Sequence, residues 1–325
     1  MAKLRFVVVK GLNGWGDRLQ CTLQAIRYAK TTGRHIVLDW RDEDWATVDG
    51  PSLDYYVDLH GLRHFRLAEF LDYFAAYEDS LTVTPEGWRH VVTKIPDRDF
   101  LYGPVYYIDG GQEQIDQIAT HKRADFPHDV VVYSSVGYRG FRYGDFDHIH
   151  PAKWVRDGFT RFAADVGLTH KGFDIVHLRG GSKKWAGGSA GGLADLDKKI
   201  HGTFPTLESY LTHMDAEYTK AIAGKPALPM YVLSDSAWLA DQWVQQIGKG
   251  SPISQGYAGP MFNTGIFQIP EAELAKHGMS KVQINYEMLR DFAIMMNARQ
   301  VLTDGVSLFS KMANNCADAA TAWRF

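Results

Sequence analysis

The sequence predicts an α/β chain of two domains, each a parallel sheet flanked by helices, and three observations predict it. The first is length: 325 residues exceed the usual single-domain range, so two domains of about 150 residues each are expected. The second is an opening run of strand, glycine-rich loop, helix and strand. The third is that the same alternation restarts in the second half, and strands alternating with helices imply parallel sheets.

Taken in order, residues 4–9 are a compact β-rich run and residues 11–16 a glycine loop, while residues 19–31 have helical spacing, with Leu19, Leu23 and Ile26 on one face. Gly33 ends that helix and residues 35–39 supply a second strand, which completes half of a Rossmann-type sheet. From Arg41 onward the pattern is mixed, rich in aromatic and acidic residues, with a short helical stretch at 67–77. Residues 130–133 read as another buried strand, followed by a Gly/Arg/Asp-rich stretch at 137–150. A boundary is expected between residues 150 and 172, dividing the chain into domains 1–160 and 161–325.

The second half opens with a strand at 173–178, then a loop with six glycines between Gly180 and Gly192. A helix at 206–222 and a strand at 229–233 lead into Ser234-Asp235-Ser236, and the helix behind carries Leu239 and Trp243. A later helix at 284–298 places Met288, Phe292 and Met295 on one face, and residues 300–303 form the next strand.

Composition excludes several classes. A net charge of −3 argues against a general nucleic-acid binder, which carries a basic excess to neutralise phosphates. With only Cys21 and Cys316 there is no disulfide framework or CxxC metal site, and a reducing compartment is expected. The apolar run 6–9 is too short for a signal segment or a membrane span, and no later stretch approaches about 18 uncharged apolar residues. The expectation is a cytoplasmic protein whose membrane contact, if any, is peripheral.

Three motifs sit where chemistry is expected. In Gly11-Leu-Asn-Gly14-Trp-Gly16-Asp17-Arg18 a glycine turn before a helix lets backbone amides approach an anion. Asp39, ending the second strand, stands where an NAD enzyme holds ribose, but the loop is GxxGxG rather than GxGxxG. In His177-Leu-Arg179-Gly-Gly181, at a strand end facing the ligand crevice, Arg179 can hold a diphosphate bidentately; a plain surface arginine and a core histidine are the alternatives. Ser234, Asp235, Ser236, Ser307, Phe309 and Ser310 also follow strands, with hydroxyls and a carboxylate for a ribose or diphosphate and an aromatic to cover a ring. Helix capping explains several of them equally well.

DxD triplets begin at Asp42, Asp97, Asp145 and Asp195. Only Asp145-Phe-Asp147-His148-Ile-His150 has metal-like composition, an exposed polar loop accounts for it, and no metal is expected. A GxSxG elbow and a GxxxxGK[ST] loop are both missing from the sequence.

On these residues the chain resembles the fucosyltransferase superfamily that includes the rhizobial nodulation, core α1,6- and protein O-fucosyltransferases. The stretch from Arg5 through Gly14-Trp-Gly16-Asp17-Arg18, Tyr28 to Arg34 and Val37 to Arg41 is similar to that family's opening strand, loop, helix and strand. Val176-His-Leu-Arg179 resembles its HxR motif, Tyr231 to Ser236 its strand ending in a TD-type pair, and Val301 to Ser310 with Lys311-Met-Ala313 its serine-rich donor loop. The matches cover about 40% of the chain, roughly one domain's worth. Where the family follows its arginine with a basic and an acidic residue, this chain has Gly180 and Gly181, with Lys183 and Lys184 further on.

The resemblance implies a GT-B type glycosyltransferase: two Rossmann-like domains facing a central cleft, the first on the acceptor side and the second binding the sugar nucleotide. It implies inverting transfer of fucose from GDP-fucose to a hydroxyl of a glycan or glycolipid, with neither metal nor other cofactor. Arg179 would stabilise the leaving diphosphate, aided by Lys183 and Lys184. Gly14, Gly16, Arg18, His177, Ser234, Asp235, Ser236, Ser307, Phe309 and Ser310 would position the donor, and Asp17, Asp195 and Asp197 are the candidate bases. Transfer from another nucleotide sugar, an NAD-dependent oxidoreductase and a non-catalytic binding relative stay open as alternatives.

Overall fold

A computed structural model describes residues 3–10, 14–42, 45, 51–96, 100, 125–134, 141–179, 204, 206–234, 237–253, 271–276, 278–305 and 307–325. They fall into two compact units, residues 1–153 with 318–322 and residues 154–317 with 323–325.

The first unit contains β1 (Phe6–Val9), α1 (Trp15–Thr32), β2 (His35–Leu38), β3 (Val57–Leu59), α2 (Leu67–Tyr77), β4 (Val83–Thr84), β5 (Val130–Tyr133) and β6 (Ile149–Pro151). Its main sheet has the order β2-β1-β5-β4 and is parallel throughout. β1 and β5 are buried along their whole length, which is why they read as unbroken apolar runs. Phe6, Val8, Val37, Val130 and Val132 pack with Phe70 and Phe74 of α2 and with Trp88 and Val92. Gly33 closes α1 at φ 69°, in the left-handed region that glycine enters without penalty. The next residue, Arg34, is buried and grips Asp125 through Nε at 3.0 Å and Nη2 at 2.9 Å.

β3 and β6 form a separate antiparallel ribbon, with Val57 opposite Pro151 and Leu59 opposite Ile149. The stretch expected to be an exposed polar loop feeds this ribbon. Residues Tyr143–His148 form a 3-10 turn that buries Asp145 and pairs its Oδ1 with Lys30 Nζ at 2.9 Å. The turn is tied to α1, so Asp145 is drawn out of solvent by an ion pair.

The second unit contains α3 (Lys153–Val166), β7 (Asp174–Leu178), α4 (Leu207–Ile222), β8 (Met230–Ser234), α5 (Ala237–Ile247), β9 (Ser251–Pro252), α6 (Glu271–Ala275), α7 (Lys281–Asn297), β10 (Gln300–Thr303) and α8 (Leu308–Cys316). Its sheet is parallel in the order β10-β7-β8-β9. Residue 160 lies inside α3, and the contacts divide the chain at the start of that helix. The reason is packing: Phe159 of α3 stacks on Trp323, with ring centroids 6.1 Å apart and planes 7° apart.

One face of the second sheet is covered by α4 and α5, where Val176, Leu178 and Val232 meet Tyr210, Leu211, Met214, Leu239 and Trp243. The alternate residue His177 instead lies near Phe309 of α8, whose ring packs on Phe292 of α7. α7 has almost no exposed side, as expected for a helix inserted between other layers.

Candidate functional site

In an open parallel sheet the ligand crevice lies beyond the strand C-termini, where successive connections run off in opposite directions. In the second unit that point is between β7 and β10, because the chain leaves β7 for β8 on one side and returns to β10 on the other. His177 is in register with Thr303, so Arg179 and the Asp304–Ser310 turn lie at the ends of neighbouring strands.

His177 is buried, and burial pushes its pKa down to about 3, with the positive charge of Arg179 adding to the effect. It is therefore a neutral imidazole at working pH. Its Nδ1 is shielded from solvent and has no hydrogen-bond partner among the described residues. An unsatisfied buried polar atom is costly, which makes the Nδ1 of His177 a candidate contact for a ligand group at this strand end.

Arg179 follows the last residue of β7, and its backbone N–H and C=O both bond to the Tyr210 hydroxyl at 3.1 Å. Past β10, Gly305 turns at φ 73° and Asp304 Oδ1 accepts the Ser307 N–H at 3.1 Å. Ser307 occupies the N-cap position of α8, yet its hydroxyl makes no capping bond. That favours contact over capping for Ser307. Ser310 is different: its hydroxyl donates to Ser307 O at 3.3 Å and is fully buried, so it stabilises the turn from inside. The Phe309 ring lies 6.0 Å from that of His177 and 5.4 Å from that of Phe292, centroid to centroid. Ser234 ends β8 and is buried. Asp235, Ser236, Lys183, Lys184, Asp195 and Asp197 lie outside the described residues.

In the first unit the equivalent point is between β1 and β5. Lys10 continues β1, its N–H bonding Tyr133 O at 2.7 Å, and Gly14 caps α1 with open space where a Cβ would stand. Asp17 sits in the first turn of α1, and burial pushes its carboxyl up to about 6 against the opposing charge of Arg18. A carboxylate in that turn opposes a phosphate and suits the role of proton acceptor.

Arg18 differs from expectation. Instead of facing a donor its guanidinium is turned into the unit, donating to Asp42 Oδ2 at 2.5 Å and Trp40 O at 3.2 Å, and lying over the rings of Trp40 and Trp45. The DxD aspartate Asp42 is thereby an internal ion-pair partner. Asp39 is likewise sealed: Lys10 Nζ reaches Oδ2 at 2.5 Å and Arg41 Nε reaches Oδ1 at 2.8 Å. Burial alone would raise the Asp39 carboxyl, but Lys10 and Arg41 outweigh it and hold it below the ordinary range. A carboxylate so occupied cannot take a ribose, which removes the main support for a nicotinamide enzyme. Tyr210 and Lys10, unforeseen as site residues, hold the two strand ends.

No protein-family model matches the sequence, and no curated protein matches it either. Solved structures do match across nearly the whole chain. NodZ α-1,6-fucosyltransferase soaked with GDP-fucose aligns with a TM-score of 0.62 at 16% identity, covering 97% of this chain and 93% of that one. Fucosyltransferase NodZ from Bradyrhizobium gives a TM-score of 0.61 at 17% identity, over 96% and 92% of the two chains. POFUT1 in its apo form gives 0.54 at 13% identity, over 97% and 95%. The chain thus has the α/β fold of the GT-B type fucosyltransferases. No helix among the described residues is long and apolar enough to cross a membrane.

Proposed function

We propose that this protein is an inverting glycosyltransferase that moves fucose from GDP-fucose to a hydroxyl of a glycan or glycolipid. The observation that carries the reading is the placement, at the strand crossing of the second unit, of a neutral imidazole on His177, its Nδ1 without a hydrogen-bond partner among the described residues, two residues before Arg179. Structural similarity to NodZ soaked with GDP-fucose supports the choice of donor.

The acceptor oxygen attacks C1 of the sugar from the side opposite the phosphate, so the new C–O bond forms with inversion. The C1–O bond to the β-phosphate breaks and its electron pair leaves with GDP. Arg179 takes up the charge that grows on the departing diphosphate, a task that needs no metal ion and that fixed hydrogen-bond donors in a shielded site perform well. Neutral His177 and the Ser307 hydroxyl orient the donor. Asp17, with its raised carboxyl pKa, receives the acceptor proton.

Thermal shift with GDP-, UDP- and dTDP-sugars and NAD tests the donor. A ligand at 100 times its Kd adds about 2.7 kcal/mol of stability. GDP compounds should stabilise the protein and NAD should not, and release of GDP in the presence of EDTA should separate an enzyme from a binding relative without turnover. Arg179→Ala should abolish turnover with the fold intact. A response to NAD alone, or full turnover in Arg179→Ala, would remove the reading.

A further inference from the structure

We propose that Tyr210 is the positioning residue for Arg179, holding the main chain that carries the guanidinium and coupling it to the Asp304–Ser307 turn. This rests on the donor-site reading of Arg179 and adds a residue to it.

The argument begins with the backbone of Arg179. β7 pairs with β8 only as far as Leu178 opposite Ser234, and with β10 as far as His177 opposite Thr303. Arg179 is therefore past the ladder, at the point where a strand becomes a loop and its peptide groups need other partners. The Tyr210 hydroxyl serves both: it accepts from Arg179 N and donates to Arg179 O, each at 3.1 Å. The same oxygen lies 3.4 Å from Asp304 Oδ2. A phenol has one proton, so it alternates between the Arg179 carbonyl and the Asp304 carboxylate, while Asp304 Oδ1 holds Ser307 N at 3.1 Å. One oxygen thus connects both loops that the donor reading assigns to the diphosphate.

The scaffold behind the hydroxyl is rigid. Tyr210 is fully buried, in the first turns of a helix whose N-terminus is closed by Thr206 and Ser209 in a reciprocal cap. It belongs to the buried cluster that includes Val176, Leu178, Leu211 and Trp243, and its ring lies 5.4 Å from that of Phe204, a setting that phenylalanine would fill equally well. The hydroxyl is the part that packing does not explain.

The test compares Tyr210→Phe with Tyr218→Phe, which removes the hydroxyl that meets Asp174 Oδ2 from the same helix. Hydrogen exchange of the peptides containing Arg179 and Ser307, calorimetric GDP binding and donor turnover are measured on each full-length variant, with a thermal melt to verify folding. Tyr210→Phe should speed exchange at both segments by tenfold or more and weaken GDP binding about tenfold, as the two hydrogen bonds that hold the Arg179 backbone are lost. Tyr218→Phe should leave both readouts as in the parent. Unchanged exchange at Arg179, or an equal effect from Tyr218→Phe, overturns the proposal. Should the parent protein take up no GDP, the donor reading fails, and the exchange data still decide whether Tyr210 holds Arg179.

Discussion

Lys10 and Asp39 form an ion pair from which water is excluded: neither side chain has any exposed surface, and Nζ lies 2.5 Å from Oδ2. Lys10 also donates to Lys94 O at 3.0 Å, so one ammonium ties the ends of β1 and β2 to the segment that follows β4. Removing one member of a buried pair leaves an uncompensated charge, at about 3–5 kcal/mol. Because Arg41 still faces Asp39, Lys10→Met should lie near the low end, about 3 kcal/mol, as a drop in the urea midpoint.

Asp17 gives two readouts from one property. Its carboxyl, pushed up to about 6 by burial, binds a proton more tightly in the folded chain than in the unfolded one. The stability this contributes is complete below the unfolded value near 4 and is lost as pH rises through about 6. Asp17→Asn should therefore be more stable than the parent at pH 7, with the difference vanishing below about pH 4, in melts across that range. If Asp17 is the base, kcat/KM should rise with pH along a limb near 6, and Asn should lower turnover by about 10²- to 10⁴-fold while GDP affinity holds.

His177 shifts the other way. Its folded pKa, about 3, is below the unfolded value near 6.5, so the stability it contributes is present above about pH 6.5 and is lost as pH falls toward 3. His177→Phe should flatten the acid side of the stability profile over that interval. It should also weaken GDP binding, because the imidazole nitrogen offered to the ligand is gone. Titration calorimetry at pH 7 measures the second effect.

Arg179→Lys keeps the charge and loses the planar fork that meets a diphosphate with two parallel bonds. Turnover should fall about 10²-fold or more, with unfolding unchanged within about 0.5 kcal/mol for a partly exposed side chain. Steady-state kinetics beside a melt checks both.

Most of the sheet framework was legible because buried parallel strands announce themselves as apolar runs, as at 6–9 and 130–133. Two elements were not. β3 and β6 have three residues each, too short for alternation to register, and they pair across the 89 residues that separate Leu59 from Ile149. α3 carried a usable signal, with Val155, Phe159 and Ala163 buried at a spacing of four, but it fell where a domain boundary was expected. Of the candidate site, the positions of Arg179 and Ser307 after β7 and β10 were readable because strand ends are readable. The inward turn of Arg18 depends on Asp42, 24 residues away, and the hold of Tyr210 on Arg179 spans 31 residues. Local pattern has no access to such pairings, and a guanidinium beside a glycine loop looks alike in sequence whether it faces a ligand or a tryptophan.

The strand order β10-β7-β8-β9 has a bearing on how such proteins diversify. A groove that arises from the route of the polypeptide tolerates wholesale replacement of the side chains around it, which is how one architecture persists at 16% identity. On the proposed function, selectivity for a new sugar can be written into the connections after β7, β8 and β10 while the layers beneath keep their packing. On the same proposal, those three connections are the natural targets for redirecting transfer to another donor.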